Sequence, residues 1–338
     1  MKPTDKSHLT NPHAATPAER LRGVLLPFPT PFDDDEQFDA RALRANIERW
    51  NRAGVAGYVA LGSTGERVHL DDREYTEVVE AAREAVPREL LMLAGAGQHS
   101  TRASVRETQQ AARAGADAVL LIAPHFYRSA MTTDALFRHY EQVADASPVP
   151  VVVYHIPQNT GVALAPELVA RLAAHPNVVG VKDSSGDLLN LNETLRLVSE
   201  TPQLPPEKFA VLTGHGGIFY HALAAGARGG ILAVACAAPR LALAIQRAFE
   251  RGEHARALEM QRRLAPLAKA VTVRFGVGGL KAALDLAGYV GGRVRAPLAM
   301  PGEEARRELA RLLEAAEPTP EEEKAFLNQT EETMSAQR

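Results

Sequence analysis

Eight short apolar runs recur along the chain, separated mostly by longer stretches with helical spacing. The runs lie at 23–26, 57–61, 90–94, 118–122, 149 with 151–154, 178–181, 209–212 and 230–233. They are nearly continuous in hydrophobicity. A strand wetted on one face alternates apolar and polar residues, whereas a parallel strand covered on both faces does not. Helical stretches at 40–53, 72–86, 100–114, 133–146 and 166–174 fall between them. Eight strand-and-helix units in series predict an α/β fold, a (β/α)8 TIM barrel, in preference to a doubly wound sheet. Recurring turns such as Ala53-Gly54-Val55-Ala56 and Ala114-Gly115-Ala116-Asp117 fit the same repeat, with glycine closing each helix in the left-handed conformation.

After the eighth run the periodicity becomes purely helical, at 240–251, 254–272, 280–286 and 303–316. The expected organisation is a tail over 1–20, the catalytic barrel over 21–238, a C-terminal helical extension over 239–316 and a second tail over 317–338. The tails are assigned because the first is rich in Pro, Thr and Asn without periodicity and the second is charged and broken by proline.

A formal net charge of -3 argues against nucleic acid or an anionic membrane as partner, and leaves a small metabolite. No apolar stretch approaches a membrane span and the N-terminus lacks a secretory pattern, so a cytoplasmic protein is expected. The single cysteine, Cys236, excludes an internal disulfide and reads as a packed small hydrophobe. No histidine pair has zinc spacing, the run Asp33-Asp34-Asp35-Glu36 reads as a solvated loop, and Gly95-Ala96-Gly97 is not a dinucleotide fingerprint. No metal is expected.

In a barrel of this kind the chemistry gathers on loops beyond the C-terminal ends of the strands. The sixth run ends on Lys182, an amine at the mouth of an apolar strand, where desolvation favours the neutral, nucleophilic form. On its own such a lysine more often points at water. After the second run, Gly62-Ser63-Thr64-Gly65-Glu66 offers a tight turn with two hydroxyls, suited to a small carboxylate. The fifth run brings Tyr154 to the rim, a phenol able to shuttle a proton or simply to pack. Strands five and six should be neighbours, so amine and phenol converge. The fourth loop, Pro124-His125-Phe126-Tyr127-Arg128, and the seventh, Thr213-Gly214-His215, complete the candidate rim.

Together these motifs resemble the pyruvate-dependent lyase superfamily of dihydrodipicolinate synthase and N-acetylneuraminate lyase. The likeness rests on Pro29-Thr30-Pro31-Phe32, Gly62-Ser63-Thr64-Gly65-Glu66, Tyr154-His155-Ile156-Pro157 and Gly180-Val181-Lys182-Asp183-Ser184, with the lysine 28 residues after the tyrosine, and spans about 21–313. The resemblance implies a class I aldolase: Lys182 as imine-forming nucleophile, Tyr154 as general acid and base, Ser63 as relay hydroxyl, and Thr64 with Gly62 at the pyruvate carboxylate. It further implies Ser184, Asn159, Gly214 and Leu232 near substrate, no cofactor beyond the covalent imine, a 2-oxo acid substrate, and a homotetramer built as a dimer of dimers.

Within the superfamily the likeness is strongest to 4-hydroxy-2-oxoglutarate aldolase, through Arg128-Ser129-Ala130-Met131, Pro157-Gln158-Asn159-Thr160-Gly161 and the segment from Arg274 to Lys281. Dihydrodipicolinate synthases carry an arginine where this chain has Asn159. Two residues depart from the family pattern: Phe126 stands where a phenol is usual, which leaves Tyr127 to substitute for it, and Cys236 stands where asparagine is common. The alternatives are a dihydrodipicolinate synthase-type condensation, a 2-keto-3-deoxy sugar-acid aldolase or dehydratase, and a non-catalytic binding or regulatory barrel.

Overall fold

The computed structural model describes residues 16–319. Eight parallel strands close in sequence order into one barrel: β1 (Gly23–Leu26), β2 (Gly57–Ala60), β3 (Leu91–Ala96), β4 (Ala118–Ile122), β5 (Val151–His155), β6 (Val178–Asp183), β7 (Ala210–Thr213) and β8 (Gly229–Ile231). Almost every strand residue is buried, which is why the runs read as continuous rather than alternating. Side chains divide between two layers. One fills the barrel, with Leu25, Val59, Leu93, Leu120, Val152 and Leu212 among its members. The other lies between barrel and helices, and includes Trp50, Tyr58, Tyr140 and Phe219.

The expected helices form within a few residues of their predicted ends, for example Ala40–Asn51, Asp72–Ala85 and Thr133–Ala146. Asp39, Asp71, Ser100 and Thr132 cap four of them by accepting backbone N–H groups of the first turn. Three expectations need correction. Pro17–Arg20, read as tail, is a helical turn capped by Thr16, with Ala18 buried. The helix expected over 254–272 ends at Lys269 and passes into a π turn, Ala270–Arg274. The helix expected from 280 begins at Gly276, because glycines that look like a loop are there for close packing: a Cβ on Gly278 would lie 2.3 Å from the Ala299 carbonyl oxygen.

His139, on helix Thr133–Ala146, is buried, with Nδ1 2.9 Å from the Thr101 hydroxyl and no partner for Nε2. Burial pushes its pKa down to about 4, so the imidazole is neutral in the fold. The unfolded chain takes up that proton as pH drops through about 6.5, and the folded chain only near 4. Stability attributable to this residue is therefore lost as pH falls across that window, by about 3 kcal/mol in all. Denaturant midpoints at pH 7.5 and 4.5 are expected to separate less for His139→Gln than for the natural chain; equal separation would contradict this.

Candidate active site

β5 and β6 pair with Tyr154 opposite Lys182. Along β5, Val152 and Tyr154 face the barrel interior, while Val151 and Val153 face the helices. On β6, Val178 also faces the helices, so strict alternation would send Lys182 outward too. The register shifts between these points: Val151 pairs with Val178 but Val152 with Gly180, leaving Val179 as an extra residue. A one-residue bulge reverses the alternation beyond it. Val181 then faces the helices and Lys182 turns to Tyr154, its Nζ 4.2 Å from the ring centroid. The strand does not end on this amine, as the sequence suggested, but runs one residue further, through Asp183. Lys182 is 3% exposed and Tyr154 4%.

The Tyr154 hydroxyl lies 3.0 Å from the Ser63 hydroxyl, joining the fifth strand to the loop after the second. That loop is held under strain. Leu61 and Glu66, at its two ends, are non-glycine residues with φ of 53° and 54°, a left-handed conformation that costs about 1–3 kcal/mol each unless the surroundings enforce it. Thr30 helps to enforce it by donating its buried hydroxyl to the Gly65 carbonyl at 2.7 Å. Ser63 and Thr64 are half-buried in the single 3-10 turn between these ends. Tyr154→Phe is expected to lower kcat by about 10²–10⁴-fold, the usual contribution of one positioned acid-base group. An unchanged kcat would remove the phenol from the chemistry.

Other predicted residues divide. Gly214 is required by the lysine itself: a Cβ there would lie 2.8 Å from Lys182 Cε and 1.8 Å from Ser184 Oγ, so only glycine leaves room for both. Ser184 is buried, its N–H donating to His155 O at 2.8 Å and its carbonyl accepting Gln158 Nε2 at 2.8 Å. Asn159, in the turn Pro157–Thr160, lines a cavity of about 240 Å³ that also touches Gly62, Ser63 and Tyr154. Leu232, expected at the substrate, instead packs its side chain in the layer between barrel and helices. Tyr127 is 68% exposed, its ring edge-on to Phe126 at 5.0 Å, and no hydrogen bond joins it to Ser63 or Tyr154 among the described residues. Cys236 is fully buried with Sγ 3.6 Å from the Pro27 carbonyl oxygen, and burial pushes its thiol pKa up.

A second strut ties the two strands together just beyond the amine and phenol. His155 Nδ1 lies 3.3 Å from Asp183 Oδ1, and both side chains are buried. Burial alone would raise the Asp183 pKa, but hydrogen bonds from His155 and Ser185 outweigh it and hold the carboxyl below its usual value. Among the described residues no three His, Cys, Asp or Glu side chains are placed to hold a metal ion, and no helix is long and apolar enough to cross a membrane.

A closed eight-stranded barrel bearing this lysine, phenol and hydroxyl loop matches the model of the dihydrodipicolinate synthetase family over residues 20–316. The chain belongs to that family. It is accordingly a pyruvate-dependent enzyme of the carbon-carbon lyase type. Among curated members, the 4-hydroxy-tetrahydrodipicolinate synthase of Methanothrix thermoacetophila is 36% identical over 293 residues, covering 87% of this chain and 96% of its own. That of Syntrophus aciditrophicus is 36% identical over 294 residues, covering 87% and 98%. Among solved structures, a monomeric dihydrodipicolinate synthase variant superposes with a TM-score of 0.83 at 28% identity, covering 90% of this chain and 99% of that one. YagE, an E. coli K12 prophage protein of the same family solved in complex with pyruvate, superposes at 0.81 with 29% identity, covering 88% and 98%.

Two features beside the candidate site went unread in the sequence. Glu66 closes the hydroxyl loop through a buried ion pair with Lys281, a residue from the C-terminal helical region. Arg67, the next residue, lines the cavity. The run Gly65-Glu66-Arg67 carried the signal, since two opposite charges beside a buried loop need partners.

Proposed function

We propose that the chain makes or breaks the bond to C3 of pyruvate through an imine on Lys182. The observation that carries this is the buried amine set over the Tyr154 ring, with the Tyr154 hydroxyl in turn bonded to Ser63. The Lys182 amine adds to the C2 carbonyl of a 2-oxo acid, and the carbinolamine loses water to give an iminium. In the cleavage direction the C4 hydroxyl gives up its proton, the C3–C4 electron pair moves into the iminium, and an aldehyde leaves. The remaining enamine is protonated at C3 and hydrolysed to pyruvate. Tyr154 moves the protons, with Ser63 as its relay, and the loop from Gly62 to Gly65 receives the pyruvate carboxylate.

Two readings of the aldehyde follow from two different observations. The names of the curated relatives favour condensation of pyruvate with aspartate semialdehyde, as in 4-hydroxy-tetrahydrodipicolinate synthase. Asn159, at the position where the family resemblance implies an arginine in dihydrodipicolinate synthases, favours cleavage of 4-hydroxy-2-oxoglutarate to pyruvate and glyoxylate. A panel of both substrates and 2-keto-3-deoxy sugar acids, scored for pyruvate release or consumption and for water loss without cleavage, separates them. Turnover only by water loss would replace the lyase reading with a dehydratase.

A further inference from the structure

The cavity over Tyr154 holds a second group able to exchange a proton, carried by a different strand. Ile122, at the end of β4, pairs with Tyr154 on β5. His125 lies three residues beyond Ile122 and lines the same cavity as Tyr154 and Ser63. Its ring is oriented. Nδ1 sits 3.0 Å from the Ala123 carbonyl oxygen, and because a carbonyl can only accept, Nδ1 carries the ring proton. In the neutral ring Nε2 then holds the free lone pair, the arrangement of a general base whose tautomer is fixed. Among the described residues Nε2 has no hydrogen-bond partner. His99 packs edge-on against this ring at 4.6 Å between centroids and limits its swing.

The other groups at the cavity leave such a role open. Arg67 is bound to Glu107 Oε1 at 2.5 Å and to the Gly97 carbonyl at 2.6 Å, and a guanidinium does not accept a proton. The Tyr154 hydroxyl is turned to Ser63 at 3.0 Å, toward the loop after β2. Phe126 has no proton to pass, and Tyr127 is 68% exposed. Imidazole is the side chain that ordinarily exchanges a proton near neutral pH.

We propose that His125 Nε2 is the base that takes the C4 hydroxyl proton in cleavage, and the acid that returns it to the aldehyde oxygen in condensation. The proposal rests on the imine reading of Lys182 and divides the proton transfers of that reading: Tyr154 with Ser63 serves C2 and C3, and His125 serves the oxygen on C4. In cleavage the C4 O–H bond breaks and the proton passes to Nε2. The O–H electron pair becomes the second bond of the aldehyde carbonyl, and the C3–C4 pair moves into the iminium to leave the enamine. The imidazolium then releases its proton to water, which reaches this half-buried side chain. The plainer alternative is a histidine that only fastens the fourth loop to Ala123.

Two reactions separate the alternatives. Deuterium uptake at C3 of pyruvate in D2O, followed by proton NMR, needs the imine and the enamine but no C4 hydroxyl. The aldol step on the best substrate of the panel, followed in single turnover, needs both. In His125→Asn, whose amide can still donate to the Ala123 carbonyl, the aldol step is expected to slow by about 10²–10⁴-fold while pyruvate exchange stays within about twofold of the natural chain. In His125→Ala, imidazole added to the buffer is expected to speed the aldol step in proportion to its concentration and to leave exchange unchanged. An aldol step in His125→Asn within about threefold of the natural chain, or exchange that falls in step with it, overturns the assignment. If His125→Asn fails to fold, His125→Ala decides, and no response to imidazole there overturns it. If the natural chain exchanges no deuterium into pyruvate, the imine reading fails and the assignment falls with it.

Discussion

Lys182→Ala is expected to reduce pyruvate-linked turnover by about 10⁴-fold or more, since removing a covalent nucleophile removes the route and not merely a contact. The neighbouring geometry makes the loss specific. Tyr154 loses the group that its ring supports, but its hydroxyl keeps the Ser63 contact at 3.0 Å, so the remaining site stays assembled. Lys182→Met, which fills more of the vacated volume, is expected to be as inactive as the alanine variant while melting close to the natural chain. Activity above one per cent in either variant, measured on the best substrate of the panel, would contradict an obligatory role for the amine.

Lys281→Met is expected to destabilise the fold by about 3–5 kcal/mol, because it leaves a buried carboxylate without its cation. Lys281 Nζ lies 2.6 Å from Glu66 Oε1, and both side chains are fully buried. Nζ also donates to the Arg293 carbonyl and stands 4.5 Å from the centre of the Phe32 ring. Burial lowers the Lys281 pKa and Glu66 partly restores it, as expected of a desolvated but paired ammonium. Glu66 Oε2 is occupied as well, by the Arg295 N–H at 3.1 Å and His69 Nδ1 at 3.2 Å. The pair thus pins the C-terminal region to the strained end of the hydroxyl loop. Adding Glu66→Gln to Lys281→Met removes the orphaned charge and is expected to recover part of the loss. Denaturant unfolding of the single and double variants measures this, and a Lys281→Met unfolding free energy within about 0.5 kcal/mol of the natural chain's would show that the pair holds nothing.

The barrel was legible because buried parallel strands leave continuous apolar runs and their helices leave a different period, so element type survived wherever neither glycine nor bulge intervened. Lys182, Tyr154 and Ser63 were legible because strand order makes their neighbourhood predictable. The bulge at Val179 was not: Val178-Val179-Gly180-Val181 reads as an ordinary strand, yet without the extra residue the lysine would face the helices. Lys281 was equally hidden, since its partner is remote in sequence and a lysine within the apolar helix Gly276–Leu286 gives no sign of which carboxylate it meets. Leu232 failed for a related reason, as strand-end residues divide between two layers and parity near an end is easily miscounted.

The central claim is that Lys182 carries pyruvate as an imine. Incubation of the full chain with pyruvate and sodium borohydride, followed by peptide mass spectrometry, is expected to find the reduced pyruvate adduct on Lys182 and on no other lysine. Absence of an adduct, or an adduct confined to another lysine, would contradict the account.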